Sequence, residues 1–213
     1  MPLHPKLDDD SLAKAVRLLC RREPRFKAVV NAHGMPSLRE ANGGLEALLQ
    51  MVTEQFLSLA AAAAIWKRLQ LRLTPCDPHV ILGCPQAELV ALGLSRAKAK
   101  SFHGLAEAVN TGALDFARLE LLDDAAAHKA LVALPGIGPW TADIYLLSVL
   151  QRPDAWPWGD VALQAAAQNL FGLPERPDKA AMIALGESFR PCRAVAARLL
   201  WSHYRGMKQM SQA

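Results

Sequence analysis

Leu134-Pro135-Gly136-Ile137-Gly138-Pro139-Trp140-Thr141-Ala142 is the stretch on which the fold turns. It lies between two segments of helical periodicity, 125–133 and 139–150. Gly136 and Gly138 allow a tight turn that side chains would block, and Pro139 suits the first position of the following helix. The amides of such a turn, and of the first helical residues after it, have no intrahelical partner and point outward. A helix N-terminus of this kind binds anions, and a phosphate fits. Apolar Leu134 and Ile137 are expected to pin the turn to the body, and Thr141 can add a hydroxyl contact. A bare G-x-G serves equally well as a connector with no ligand. The full string L-P-G-I-G-x-x-T-A is far more specific.

Downstream, Trp156-Pro157-Trp158-Gly159-Asp160-Val161-Ala162-Leu163-Gln164 places an acid at the start of a helix, after a loop rich in Pro and Trp. Asp160 stands twenty residues after Trp140. Taken alone, it is a plain N-cap, where Asp is favoured. A cap and a chemical role are compatible, because the amides of a first helical turn favour the charged form of a carboxylate.

Away from these two sites nearly every segment reads at helical period. Ala and Leu dominate, and β-branched residues never cluster into alternating runs. Asp10-Ser11 is placed to cap a helix over 12–22, which Pro24 interrupts. Ser37 or Asn42 to Gly44 leads into one long helix over 45–71. Pro75, Pro78 and Pro85 bracket short pieces, and 85–91 forms a short helix ended by Gly93. Ser95 caps 96–109, Asn110-Thr111-Gly112 stops it, and Asp123-Asp124 opens 125–133. Asp160 starts a helix to about 170, closed by Gly172, and helices over 178–189 and 193–204 follow, with a frayed tail after Gly206. The pattern predicts an all-α protein.

The 213 residues suffice for a substantial core. A hydrophobic fraction of 52% with 21% charged describes a globular chain, not a disordered one. The net charge of +4 and a pI near 9.0 tolerate a polyanion partner without demanding one. The most apolar run, 56–66, is too short to span a bilayer, so no membrane association is expected. Cys20, Cys76, Cys84 and Cys192 show no metal-site spacing and fit reduced thiols in a cytoplasmic protein, nucleoid-associated if bacterial. The six His residues are scattered and suggest no site.

The string 134–142 resembles the helix-hairpin-helix element of DNA-repair proteins, which ligases, polymerases and nucleases also use for grip alone. With Asp160 at its offset, the pair resembles the signature of the helix-hairpin-helix (HhH-GPD) DNA glycosylase superfamily, in which that Asp is catalytic. The resemblance implies a two-lobed helical fold. One lobe, 45–150, carries the hairpin, and 1–44 plus 151–213 form the other, with the active site at Asp160 in the cleft between them. Cleaving an N-glycosidic bond builds positive charge on the sugar. A fixed carboxylate stabilises that charge and helps to position or deprotonate the attacking water. The target base must first leave the stack, which calls for a wedge and a pocket.

Bifunctional members carry a Lys two residues after the second hairpin glycine, for a Schiff base. Here it is Trp140, which cannot form that adduct, so the resemblance implies hydrolysis without AP-lyase activity. The four-Cys iron–sulfur cluster of some members has no counterpart, and no cofactor is required. The remaining likeness is to the alkylpurine (3-methyladenine type II) branch and covers about 45–204. Glu54-Gln55-Phe56-Leu57-Ser58-Leu59-Ala60 is similar to its G-Q-x-x-S-x-A segment, with Glu in place of Gly. Residues 91–100 are similar to its L-G-hydrophobic-x-x-x-K-A stretch, and Leu200-Trp201 matches a pocket Trp. Residue 144 is Ile where the branch often has Tyr, with Tyr145 next to it. The β-rich N-terminal lobe of the longer bacterial type is not expected, because some 44 residues precede the likeness and read as helical.

The resemblance implies a set of roles. Asp160 is the catalytic carboxylate. Trp140 and Trp201 line the base pocket, where an aromatic face favours an electron-poor, cationic alkylated base; Trp156 and Trp158 are outside candidates, or core residues. Phe56 is the wedge, or a core aromatic of an Ala-rich helix. Gly136, Gly138 and Thr141 grip the DNA backbone, and main-chain carbonyls of Val132, Leu134 and Ile137 match a monovalent-cation (Na+ or K+) site. Arg96, Lys98 and Lys100 touch phosphates or form a solvated face. The expected function is a monomeric, monofunctional glycosylase removing alkylated purines of the 3-methyladenine and 7-methylguanine kind from double-stranded DNA in base excision repair. The rivals are a glycosylase for a deaminated or oxidised base, and a non-catalytic helix-hairpin-helix DNA-binding protein.

Overall fold

The computed structural model of the chain describes residues 4–38 and 43–210, and among these it contains thirteen helices and no strand. The helices are α1 (Asp9–Arg22), α2 (Pro24–His33), α3 (Gly44–Glu54), α4 (Leu59–Arg72), α5 (Pro78–Gly83), α6 (Gln86–Ala91), α7 (Arg96–Asn110), α8 (Phe116–Leu121), α9 (Asp124–Val132), α10 (Pro139–Ser148), α11 (Val161–Phe171), α12 (Lys179–Glu187) and α13 (Arg193–Met210). The chain divides into two compact units, Met1–Glu40 with Leu146–Ala213, and Ala41–Tyr145. The division falls inside α10.

In the first unit α13 packs against α1, α2 and α11. Its first half, 194–200, is buried at every position, and Arg198 is the single charge in that run. Arg198 Nη2 donates to the Leu147 carbonyl and to Gln151 Oε1, both at 2.9 Å, so a buried cation ties α13 to the turn after α10. An aromatic cluster of Phe26, Trp156, Phe171 and Phe189 fills the rest of this core. In the second unit α7 is the hub, packing on α3, α5 and α6. Tyr145 is buried against Phe116, and burial pushes its phenol well above the ordinary value.

Several local expectations change. The long helix over 45–71 is two helices: α3 ends at Glu54 and α4 starts at Leu59, capped by Ser58, whose Oγ accepts the Ala61 N–H. Ser58 is a helix start inside an otherwise unbroken helical pattern, and a capping side chain outweighs propensity there. The N-terminal helix starts one turn earlier, where Asp8 and Ser11 form a reciprocal capping box. Gly43, with no side-chain cap, precedes α3; the Asn42 alternative lies outside the described residues. The helix after the hairpin stops at Ser148, and α2 and α8 were not anticipated. Helix α13 does not fray at Gly206 but continues to Met210. Gly206 is buried against the His33 ring, which anchors its C-terminal turns.

Candidate active site

The hairpin is built as the glycines demand. Gly136 has φ +80, a conformation that L-residues avoid, and a Cβ there would meet Ser101 Oγ at 2.2 Å. Pro135 lies against Gly104 so closely that α7 also requires a glycine at that position. Ile137 is buried and Leu134 half-buried, so the pair holds the turn to the body as expected. Gly138 differs from Gly136. A Cβ at Gly138 would meet nothing within 4 Å, and its carbonyl accepts the Ala142 N–H at 3.0 Å. Open space thus lies at the N-terminus of α10, where orphan amides gather.

Thr141 departs from its expected role. It is buried, and its Oγ1 accepts a hydrogen bond of 2.9 Å from Gln55 Nε2, which also donates to the Gly136 carbonyl at 3.1 Å. The hydroxyl braces the hairpin from within and does not face outward for a phosphate. Gln55 lies in the break between α3 and α4, beside Phe56. Phe56 has φ +57 and is fully exposed, at 102% of its reference area, so it is not the core aromatic of a continuous helix. Leu57 and Leu59 are also exposed. Lys98 is neither a phosphate contact nor a solvated cation: its Nζ donates to the carbonyls of Thr53 (2.9 Å) and Gln55 (2.7 Å) at the C-terminal end of α3. That placement suits the negative end of a helix, and burial pulls its ammonium below the ordinary value. Arg96 and Lys100 are exposed.

In the other unit Asp160 is the N-cap of α11. Its Oδ1 accepts the Leu163 N–H at 2.8 Å, and its carbonyl accepts the Gln164 N–H. The same Oδ1 accepts the indole N–H of Trp201 at 3.1 Å. Trp201 was expected as a pocket wall; its ring edge is committed to the carboxylate. The loop before Asp160 is anchored by Trp156, which is buried, donates from Nε1 to the Met182 carbonyl at 2.8 Å and lies so close on Gly186 that a Cβ there would meet Nε1 at 2.6 Å. Trp156 is therefore a peg in the core and not a pocket residue. Trp158 is half-buried, with the Lys179 ammonium 4.7 Å from its ring centroid. The structure thus joins Asp160 with Trp201 in one unit, and the hairpin with the Phe56 loop in the other. Trp140 is half-buried in the first turn of α10.

One unit thus carries a glycine hairpin that opens a helix, and the other a capping carboxylate on a pegged Trp loop. The description "HhH-GPD superfamily base excision DNA repair protein" matches residues 49–191. The chain belongs to the HhH-GPD superfamily. The matched span includes Phe56, the hairpin and Asp160, while Trp201 lies beyond it. Among relatives of this HhH-GPD protein, the alkylbase DNA glycosidase-like protein of Schizosaccharomyces pombe is 27% identical over 200 residues, covering 91% of this chain and 94% of its own. A Bacillus subtilis relative is 31% identical over 124 residues, 58% of this chain; the chain spans only 43% of that relative's length. Two proteins of solved structure share the fold. The DNA-3-methyladenine glycosidase of Bacillus halodurans superimposes with a TM-score of 0.79 at 28% identity, covering 92% of this chain and 91% of the other. The S. pombe 3-methyladenine DNA glycosylase, solved with abasic DNA, superimposes with a TM-score of 0.80 at 27% identity, covering 88% and 95%.

The sequence reading did not give the roles of Gln55, Lys98 and Arg198. Arg198 had a signal, as the one charge in the apolar run 194–200 of α13. Gln55 and Lys98 stand in the two segments that resemble the alkylpurine branch, but nothing in the sequence pointed to their bracing role, because their partners are main-chain carbonyls and a threonine distant in sequence.

Proposed function

We propose that this HhH-GPD protein is a monofunctional DNA glycosylase that hydrolyses the N-glycosidic bond of alkylated purines in double-stranded DNA. The observation that carries the proposal is Asp160. Oδ1 of its carboxylate takes two donors, the Leu163 amide and the Trp201 indole, which fix the group's direction at the N-terminus of α11. As the bond to the base breaks, positive charge develops on the sugar and the fixed carboxylate stabilises it. Water attacks the sugar carbon, its proton passes to the carboxylate, and the base leaves with the bonding pair. An alkylated purine is already cationic and leaves as a neutral base. The names of the relatives, 3-methyladenine glycosylases and an alkylbase glycosidase-like protein, support this substrate class.

The remaining roles complete the proposal. The open N-terminus of α10 at Gly138 takes a backbone phosphate, and Phe56 fills the gap left by the displaced base. Trp140 supplies an aromatic face for an electron-poor base. With an indole in place of an amine at that position, strand cleavage through a Schiff base is not part of the reaction. Main-chain oxygens of Val132, Leu134 and Ile137 would be the hard donors to hold Na+ or K+, and the ion would add positive charge beside the phosphate. No other cofactor enters the reaction, and the enzyme acts as a monomer in the cytoplasm.

The test is to incubate the protein with methylated duplex DNA and to identify the released bases by mass spectrometry, while following strand nicks on a gel. Release of 3-methyladenine or 7-methylguanine without nicking supports the proposal. Release of only uracil, hypoxanthine or an oxidised purine, or DNA binding without release, overturns it.

A further inference from the structure

Phe56 combines two features that rarely occur together, full exposure of a large aromatic ring and a left-handed backbone. Water does not favour the first, and the second is strained for an L-residue, so such a conformation persists only where its surroundings over-determine it. The surroundings are specific. On one side of Phe56, the Gln55 carbonyl is held by Lys98 Nζ, which also holds the Thr53 carbonyl at the end of α3. The Gln55 side chain spans to the hairpin, donating to the Gly136 carbonyl and to Thr141 Oγ1. On the other side, Ser58 starts α4, and the Leu57 N–H returns to the Glu54 carbonyl at 3.3 Å. The loop that presents the ring is thus fastened to the turn that carries Gly136 and to α7.

We propose that Gln55 and Lys98 are positioning residues that hold Phe56 ready for insertion and lock it in register with the phosphate-gripping hairpin. The inference rests on the glycosylase reading for the wedge role of Phe56. Neither side chain needs to touch DNA. Gln55 sets the distance from wedge to grip, and Lys98 closes the end of α3 so that the chain can reverse at Phe56. Binding of a phosphate at the hairpin then places the ring at a defined step of the duplex, with no further ordering of the loop.

The test is a double-mutant cycle read by insertion and not by base release. A duplex carries an abasic-site analogue with 2-aminopurine beside it, and the fluorescence rise at saturating protein reports unstacking. Gln55→Leu and Lys98→Met each remove a different set of bonds; Thr141→Val removes one acceptor without altering the loop and serves if Gln55→Leu melts below the assay temperature. Each brace variant is expected to cut the fluorescence rise at least threefold when Phe56 is present, and to change nothing further in a Phe56→Ala background. An equal loss in both backgrounds, or no loss in either, overturns the inference. Because the abasic duplex has no base to release, the two claims fail separately. A protein that releases no base but obeys the cycle overturns only the glycosylase reading. Base release with brace variants that match the parent overturns only the brace.

Discussion

Gly136→Ala is expected to destabilise the second unit through two separable terms, one of which a second mutation removes. At φ +80 an alanine is strained by about 1–2 kcal/mol. Its Cβ would also lie 2.2 Å from Ser101 Oγ and 2.6 Å from Ser101 Cβ, and relieving such a clash inside a packed hairpin costs about 1–3 kcal/mol. The sum is about 2–5 kcal/mol, or a fall in Tm of roughly 4–20 °C for a chain of this size. Ser101→Gly removes both offending atoms and leaves only the Ser101 Cα position, 3.9 Å away. Serine in a helix gives way to glycine at a cost of about 0.5 kcal/mol. The double variant should therefore be more stable than Gly136→Ala alone, retaining only the backbone term and the helix cost. The assay is thermal unfolding of the parent, both single variants and the double. If the double variant melts at or below the temperature of Gly136→Ala, close packing of the turn on α7 is not what requires glycine. If Gly136→Ala melts with the parent, the left-handed turn itself is refuted.

Gly138→Leu should behave in the opposite way. With no neighbour within 4 Å of the added Cβ, Tm should change by less than about 4 °C, while affinity for undamaged duplex in fluorescence anisotropy should fall about tenfold with a shallower salt dependence; unchanged affinity would remove the hairpin from the interface. Trp156→Phe loses the bond to the Met182 carbonyl and the packing on Gly186, so it should cost about 1–3 kcal/mol in calorimetry, and a variant impaired in catalysis with unchanged Tm would return Trp156 to the pocket. Burial raises the Tyr145 pKa in the folded state above its unfolded value near 10. Its stabilising contribution is complete below pH 10 and declines above it, because only the unfolded chain then releases the proton, by at most about 1.4 kcal/mol per pH unit. Tyr145→Phe should flatten the alkaline loss of stability in denaturant titrations, and an identical alkaline slope would contradict this.

Most helices were legible because Ala, Leu and charged residues recur at helical spacing and because caps such as Ser95, Asp123, Asp160 and Asp178 announce helix starts. The hairpin was legible for the same local reason: glycine and proline restrict the backbone wherever they stand. The break at 55–58 was not. Gln55 and Phe56 are compatible with a helix, and what turns the chain there is Lys98 and Thr141, remote in sequence. Trp156 and Trp201 illustrate the same limit. The sequence puts Trp201 in the base pocket and leaves Trp156 a pocket candidate or a core residue, and only their partners, Asp160 for one and a core carbonyl for the other, separate a neighbour of the carboxylate from a peg. Local rules place residues on elements; long-range hydrogen bonds assign them work.

The central claim is that the charge of Asp160 drives bond cleavage. Asparagine is an equally good N-cap and can accept from the Leu163 amide and the Trp201 indole through the same oxygen, so Asp160→Asn removes the charge and leaves the local structure in place. The decisive measurement is the single-turnover rate of 3-methyladenine release from methylated duplex by parent and Asp160→Asn protein of equal Tm. A fall of at least about 100-fold is predicted. A variant that releases the base at the parent's rate would contradict the account.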